Sequence, residues 1–169
     1  MSNGIPRSKV PPPMTTALEK VQLKESLPDD EVCSCSEKTP MHLRYSFSEF
    51  PFYCSECNGQ ILPSSLTITE ELAQQIVDWS SVYSSLFRLW LDSGEYEAFA
   101  EAALKDPKGQ INSLGLQIAA RIRNQRPTFY WWFKDEEVEI PTDCPLCHQK
   151  LREHNRYTVR FCDACGISL

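Results

Sequence analysis

The sequence predicts an α+β chain: a helical core of about three helices with an aromatic strand, flanked by two cysteine-bearing β-hairpin modules. Three observations predict it. Eight cysteines fall into two groups of four, one before residue 60 and one after residue 140. Between them runs a stripe of apolar residues at helical spacing, and Phe129 to Phe133 form five consecutive aromatics just before the second group.

Residues 1–30 read as a disordered tail. Pro6, Pro11, Pro12 and Pro13 cannot donate to a helix or a central strand, and polar residues fill most of the remainder. The first module follows at 31–63. Its cysteines run Cys33-Ser-Cys35, eighteen residues, then Cys54-Ser-Glu-Cys57, with a hairpin expected from His42 to Phe47 and Pro51 to Cys54. The short Cys-x-Cys bite leaves His42 as an alternative ligand.

The helical core is expected over 64–127. Thr67 and Glu70 match a capping box, after which Leu72, Ile76, Trp79, Tyr83, Leu86 and Trp90 recur at intervals of four and three. Gly94 supplies the stop. A shorter helix is expected from Glu95 to about Lys105, burying Tyr96, Phe99 and Ala103, and Asp106-Pro107 ends it. A third, from about Ser113 to Arg123, carries Leu114, Ile118 and Ile122 on one side.

The last region, 128–169, joins the aromatic strand to the second cysteine group. Strict alternation would place Phe129, Trp131 and Phe133 on one face and Tyr130 and Trp132 on the other. Either both faces are covered, or Tyr130 and Trp132 are presented to a base or a protein partner. The cysteines then read Cys144-Pro-Leu-Cys147, fourteen residues, Cys162-Asp-Ala-Cys165, the ligand order of a zinc ribbon. Two thiolates separated by two residues reach one metal from a tight turn, and two such turns complete a tetrahedral Zn2+ site. Glycine shortly after Cys57 and Cys165 suits a turn that needs positive φ beyond its second cysteine. The sequence therefore predicts two zinc sites: Cys144, Cys147, Cys162 and Cys165, and a ribbon-like copy from Cys33, Cys35, Cys54 and Cys57.

Competing readings fit less of the pattern. Cys144-Pro-Leu-Cys147-His148 matches a c-type haem attachment site but leaves Cys162 and Cys165 unexplained. Met1 to Val10 lacks an apolar export signal, so a cytoplasmic location and reduced thiols are expected, against disulfides. No βαβ pattern surrounds either motif to suggest a thioredoxin-like pair. His148 and His154 are read as solvated imidazoles.

Charge limits the partners. The formal net charge is −6, and a Zn2+ held by four thiolates adds 2 − 4 = −2, so two loaded sites bring it to −10. That sign opposes loose binding to nucleic acid. A local basic face remains available from Arg121, Arg123 and Arg126, from Lys105 and Lys108, and from Lys150, Arg152, Arg156 and Arg160; Asp135, Glu136, Glu137 and Glu139 oppose it. No apolar run is long enough to cross a membrane.

Several stretches together carry a resemblance: Tyr53-Cys54-Ser-Glu-Cys57, Leu104-Lys-Asp106-Pro107, Ser113 to Ile122, Phe129 to Trp132 and the final four cysteines. Over roughly residues 50–169 the chain resembles an uncharacterised bacterial zinc-ribbon-containing family to which nucleic-acid binding is ascribed. It is also similar to double-Cys-x-x-Cys proteins that resemble immunity partners of secreted toxins. The first resemblance implies a binding module for nucleic acid or a ribonucleoprotein; the candidate contacts, read from the aromatic strand and the basic residues of the ribbon, are Tyr130, Trp132, Arg156 and Arg160. The second implies a protein-binding module that neutralises a toxin.

No catalytic signature is present. The metalloprotease helix, the phosphate-binding loop and the nucleophile elbow are all missing, and Asp143 stands where a zinc deaminase would need proline. The expectation is a non-enzymatic protein with no small-molecule substrate.

Overall fold

Helix α2, Glu70–Asp92, is the longest element of the protein, seen in a computed structural model that describes residues 16–22, 27–45, 51–135, 139–153 and 159–169. Its N-cap is Thr69, whose hydroxyl accepts from the Leu72 amide at 3.3 Å. The expected capping box is displaced along the chain. Thr67 instead exchanges two backbone hydrogen bonds with the Gln125 side chain, at 2.6 and 3.0 Å. Leu72, Ile76, Trp79 and Tyr83 are buried as the stripe requires, and Leu86 and Trp90 pack half-buried against the same core. The helix ends before Gly94, whose φ of +61° reverses the chain.

Helices α3, Glu97–Lys105, and α4, Gln110–Ile122, fold back onto α2. In α3 the buried positions are Ala100 and Leu104, whereas Phe99 and Tyr96 are 64% and 53% exposed. The expectation that Phe99 and Tyr96 are buried is thus corrected. Helix α3 turns Ala100 and Leu104 inward where it packs on α2 and α4, which leaves Phe99, next in sequence to Ala100, on the outer side. Helix α4 starts three residues earlier than expected and buries Ile111, Asn112, Gly115, Ile118, Ala119 and Ile122.

Part of the expected tail is structured. Ala17–Gln22 forms a short helix, α1, which buries Ala17 and Val21 against α2. Glu70, at the start of α2, accepts from the Ala17 and Leu18 amides at 2.8 and 3.1 Å. Its carboxylate thereby satisfies amides that a helix start leaves without partners. Residues 1–15 and 23–26 lie outside the described residues.

Among the described residues Met41–Leu43 (β1), Phe52–Cys54 (β2), Thr128–Trp131 (β3), Arg152–Glu153 (β4), Arg160–Cys162 (β5) and Ile167–Ser168 (β6) form one six-stranded sheet in the order β2-β1-β3-β6-β5-β4. From the first module come β1, Met41–Leu43, and β2, Phe52–Cys54, antiparallel as expected; residues 46–50 lie outside the described residues. From the second come β4, Arg152–Glu153, β5, Arg160–Cys162, and β6, Ile167–Ser168. The aromatic strand β3, Thr128–Trp131, lies between them, parallel to β1 on one side and to β6 on the other. The two cysteine modules are therefore halves of a single sheet that flanks the helical core.

Both faces of β3 are covered, one by helices and the other by a small aromatic layer. On the helical side Tyr130 is fully buried and donates to Asn112 Oδ1 at 2.9 Å. Asn112 Nδ2 donates in turn to the Leu104 and Asp106 carbonyls at 3.0 and 2.8 Å, closing the α3–α4 turn. Burial pushes the Tyr130 hydroxyl well above its usual pKa, so it remains a donor. On the other side Phe129, Phe161 and Val159 are buried, with Trp131 half-buried beside them. Here His42 stacks on Phe161 with centroids 5.6 Å apart, meets Trp131 edge-on at 5.1 Å, and places Nδ1 2.8 Å from Ser168 Oγ. Phe133 leaves the alternation because the strand ends at Trp131; it packs in the main core against Phe87 and Trp90.

Gly115 is where α4 meets β3. A Cβ there would lie 2.3 Å from Tyr130 Cε2 and 2.9 Å from Trp79 Nε1, in a core too densely packed to yield. Replacing a helical glycine with alanine ordinarily stabilises by roughly 0.5–1 kcal/mol. At this position overpacking wins, and Gly115→Ala should cost about 1–3 kcal/mol, read as a lower denaturant midpoint. A midpoint at or above the wild type would contradict the contact.

Candidate metal centres

Two sulfur quartets are assembled, Cys33, Cys35, Cys54 and Cys57 at one and Cys144, Cys147, Cys162 and Cys165 at the other. Within each quartet all four Sγ atoms lie within 4.8 Å of one another. Zn–S bonds of about 2.3 Å in a tetrahedron place sulfurs about 3.8 Å apart. The 3.6 Å between Cys147 and Cys162 Sγ fits that geometry. Both quartets fit zinc, and four thiolates fill a tetrahedral coordination sphere.

Three of the four half-sites are the same turn. In Cys54–Asn58, Cys144–His148 and Cys162–Gly166, the last residue's amide donates to the first cysteine's carbonyl, at 3.0, 2.9 and 2.8 Å. That last residue has positive φ in each: 59° at Asn58, 58° at His148 and 69° at Gly166. Amides within the turns also point at sulfur, Glu56 to Cys54, Leu146 to Cys144 and Cys165 to Cys162, each at 3.4 Å. Such bonds favour the thiolate.

The turn geometry revises one sequence expectation. At the first site positive φ falls on Asn58, not on Gly59. Gly59 is needed for close approach instead, because a Cβ there would lie 3.0 Å from the Cys33 nitrogen. His148 is exposed and serves the backbone as a left-handed residue. His42 is excluded from the first quartet by its burial on the opposite sheet face, against Phe161 and Ser168. His154 lies outside the described residues.

The fourth half-site, Cys33-Ser-Cys35, is one residue too short for this turn and is held by other means. The Cys33 amide donates to the Gln60 carbonyl at 2.8 Å, and the Gln60 amide to the Glu31 carbonyl at 2.8 Å, pinning the segment beside the Cys54–Asn58 turn. The Cys35 amide points at Cys33 Sγ at 3.4 Å. Arg126, only 5% exposed, reaches across from the α4–β3 connection, donating from Nε to the Thr39 carbonyl at 2.8 Å and placing a terminal nitrogen 3.9 Å from Cys33 Sγ. At the other site Arg123 lies directly over Gly166: its guanidinium occupies the space a Cβ would take, while its Nε donates to the Thr128 carbonyl at 3.1 Å. Sequence alone groups both arginines on a basic face, whereas each is committed to one of the two modules. Their position, three residues apart just before the strand that separates the modules, is the signal that could have found them.

The thiols differ in acidity. A backbone hydrogen bond from Gln149, outweighing burial and joined by the neighbouring sulfurs, lowers Cys147 to about 7. Hydrogen bonding to Cys57, together with burial, pushes Cys35 up to about 12. Burial is the first cause of the rise at Cys162 and at Cys165. A metal must displace the protons that such crowding retains, so binding at both centres strengthens as pH rises.

The candidate partner contacts fare differently. Tyr130 and Trp132 are buried at 0% and 2% exposure beneath the helices, which corrects the idea of a presented pair. Arg160 is committed within the protein, donating to the Pro141 carbonyl at 3.1 Å and pairing with Glu153 at 3.1 Å. Arg156 lies outside the described residues.

His148→Gly separates a backbone role from a ligand role. Relief of the left-handed backbone should leave stability unchanged or raise it by up to roughly 1 kcal/mol, and metal content should stay at the wild-type level. Loss of one metal equivalent would make His148 a ligand. No family model matches this chain, nor does any curated protein or solved structure, and its metal centres rest on its own sulfur geometry.

Proposed function

We propose that this protein is a non-enzymatic binding module whose sheet is stapled at both ends by structural zinc. The observation that carries the proposal is the pair of four-sulfur sets. A tetrahedral all-sulfur site selects zinc or iron over harder ions, and when filled by four thiolates it keeps no position open for a substrate water. Elemental analysis of the full chain should give two zinc and no iron, falling to one zinc in Cys33→Ser/Cys35→Ser. One zinc in both samples would remove the first centre from the proposal.

The partner this reading favours is a protein. The α2–α3 hairpin presents Val82 at 52%, Leu89 at 37%, Tyr96 at 53% and Phe99 at 64% exposure. Val82 and Leu89 are seven residues apart and so share a helix face, while the acidic Asp92, Glu95 and Glu97 lie near the hairpin turn. Aromatic anchors with an acidic rim suit a partner with an apolar patch edged by basic groups, which is also what a net charge of −6 would attract. A toxin-neutralising role is the narrower form of this reading. Nucleic acid or a ribonucleoprotein is the second reading. It is favoured by guanidinium groups lying over rings of the sheet, Arg44 over Tyr53 at 4.0 Å and Arg152 over Phe161 at 5.1 Å.

One comparison separates the two. On the protein reading, Phe99→Asp abolishes recovery of a basic partner with the tagged full chain, while a random RNA or DNA oligomer is not retained at low salt. Retention of the oligomer that weakens with salt and with Arg44→Ala/Arg152→Ala would decide for nucleic acid.

A further inference from the structure

We infer that Arg126 is the built-in counter-ion and positioning residue of the first metal centre, taking the place of the turn that Cys33-Ser-Cys35 is too short to form. The inference rests on the reading of this quartet as a metal centre. Arginine keeps its charge in proteins, and a guanidinium that is 5% exposed needs anionic or hydrogen-bonding partners. Among the described residues Arg126 has no carboxylate partner. Its contacts are the Thr39 carbonyl, at 2.8 Å from Nε, and Cys33 Sγ, at 3.9 Å from a terminal nitrogen. Four thiolates around a divalent cation carry a net −2, so the loaded centre supplies the missing negative charge. With neutral thiols the same guanidinium is buried beside nothing that compensates it.

The geometry also explains why it must be arginine. One planar fork spans the segment after Cys35, through Thr39, and the ligand Cys33 itself. It fixes the short half-site from outside, whereas the other three half-sites fix themselves through their own turn amides. An ammonium offers charge but cannot hold that planar two-ended contact. Arg126 also stands two residues before Thr128, the first residue of β3, so the joint entering the central strand is tied to the charge state of the first centre.

Cobalt titration of the full chain, followed by thiolate charge-transfer absorption, tests this directly. The wild type should take up two equivalents and Cys33→Ser/Cys35→Ser one; a single equivalent in both would overturn the metal-centre reading itself, leaving Arg126 without a role. Given two, Arg126→Gln should weaken the first centre by about 10- to 100-fold with the second unchanged, and Arg126→Lys should recover part of the loss. Unaltered cobalt affinity in Arg126→Gln would overturn the proposal.

The melting temperature gives a readout that packing alone would not produce. In the metal-loaded wild-type background Arg126→Gln should lower it. In the Cys33→Ser/Cys35→Ser background, where the centre's negative charge is gone, the same change should leave it unchanged or raise it. A fall of equal size in both backgrounds would make Arg126 a packing residue. If Arg126→Gln does not fold, Arg126→Lys is run through the same cycle: a fall confined to the metal-loaded background supports the counter-ion role, and an equal fall in both overturns it.

Discussion

The parallel pairing of Thr128–Trp131 with β1 on one side and β6 on the other holds the rest of the molecule in place. Neither cysteine module contributes more than three residues to any strand, too little to bury a core of its own. Once β3 is inserted, Leu43, Tyr130 and Ile167 line up across three strands and face the helices together. The two cysteine quartets then lie toward opposite ends of a continuous sheet, through Cys54 on the edge strand β2 and Cys162 on β5, next to the other edge. Parallel strands need crossovers, and the two used here differ. Helices α2 to α4 carry the chain from the first module to β3, and the second module, through β4, β5 and both of its cysteine turns, carries it from β3 to β6.

That central position explains the aromatic composition of β3. A strand covered on both faces can use large side chains everywhere: Tyr130 of β3 packs toward the helices, and Phe129 and Trp131 join the small layer around His42 and Phe161. The Tyr130 hydroxyl and the Asn112 amide have fixed partners. Tyr130 finds Asn112, and Asn112 finds the two carbonyls of the α3–α4 turn, so one buried chain of hydrogen bonds ties sheet to helical turn. Gly115 has no side chain because the Tyr130 ring occupies its place.

The cysteine spacings and the apolar stripe of α2 were legible because each reflects local geometry: a ligand bite, a helical period. Leu72, Ile76, Trp79 and Tyr83 needed no knowledge of what they would touch. The errors arose where distant segments decide. Phe99 looks like a core residue from hydrophobicity alone, but the inward face of α3 is the one that carries Ala100 and Leu104. Trp132 and Tyr130 were ambiguous because alternation cannot say whether a second face is covered. The cap moved from Thr67 to Thr69 because Gln125, far along the chain, claims the Thr67 backbone. Asn58 and His148 were missed for a different reason: the positive φ falls directly after the second cysteine, and glycine is only one of the residues that tolerates it.

The two centres are unequal by construction, and the sheet makes the inequality consequential. The second is built from two self-supporting turns, and Arg152 further braces it, through a two-pronged contact with Asp163 at 3.0 and 3.1 Å. The first has one such turn, an exposed Cys57, and a short half-site held by Gln60, Gly59 and Arg126. Holding that half-site from outside links it to residues that also serve the core. Met41 at the start of β1 donates to the Pro127 carbonyl, one residue beyond Arg126, so the cation and the first hydrogen bond between β1 and the β3 segment lie in consecutive residues. A disturbance at Cys33 therefore reaches the central pairing through one side chain and one peptide unit. At the second centre Arg123 contacts the turn through the backbone of Gly166, and the turn's own amides hold its sulfurs. The first quartet is thus the one tied by a side chain to the central strand pairing, and the second is the one held chiefly by its own turns.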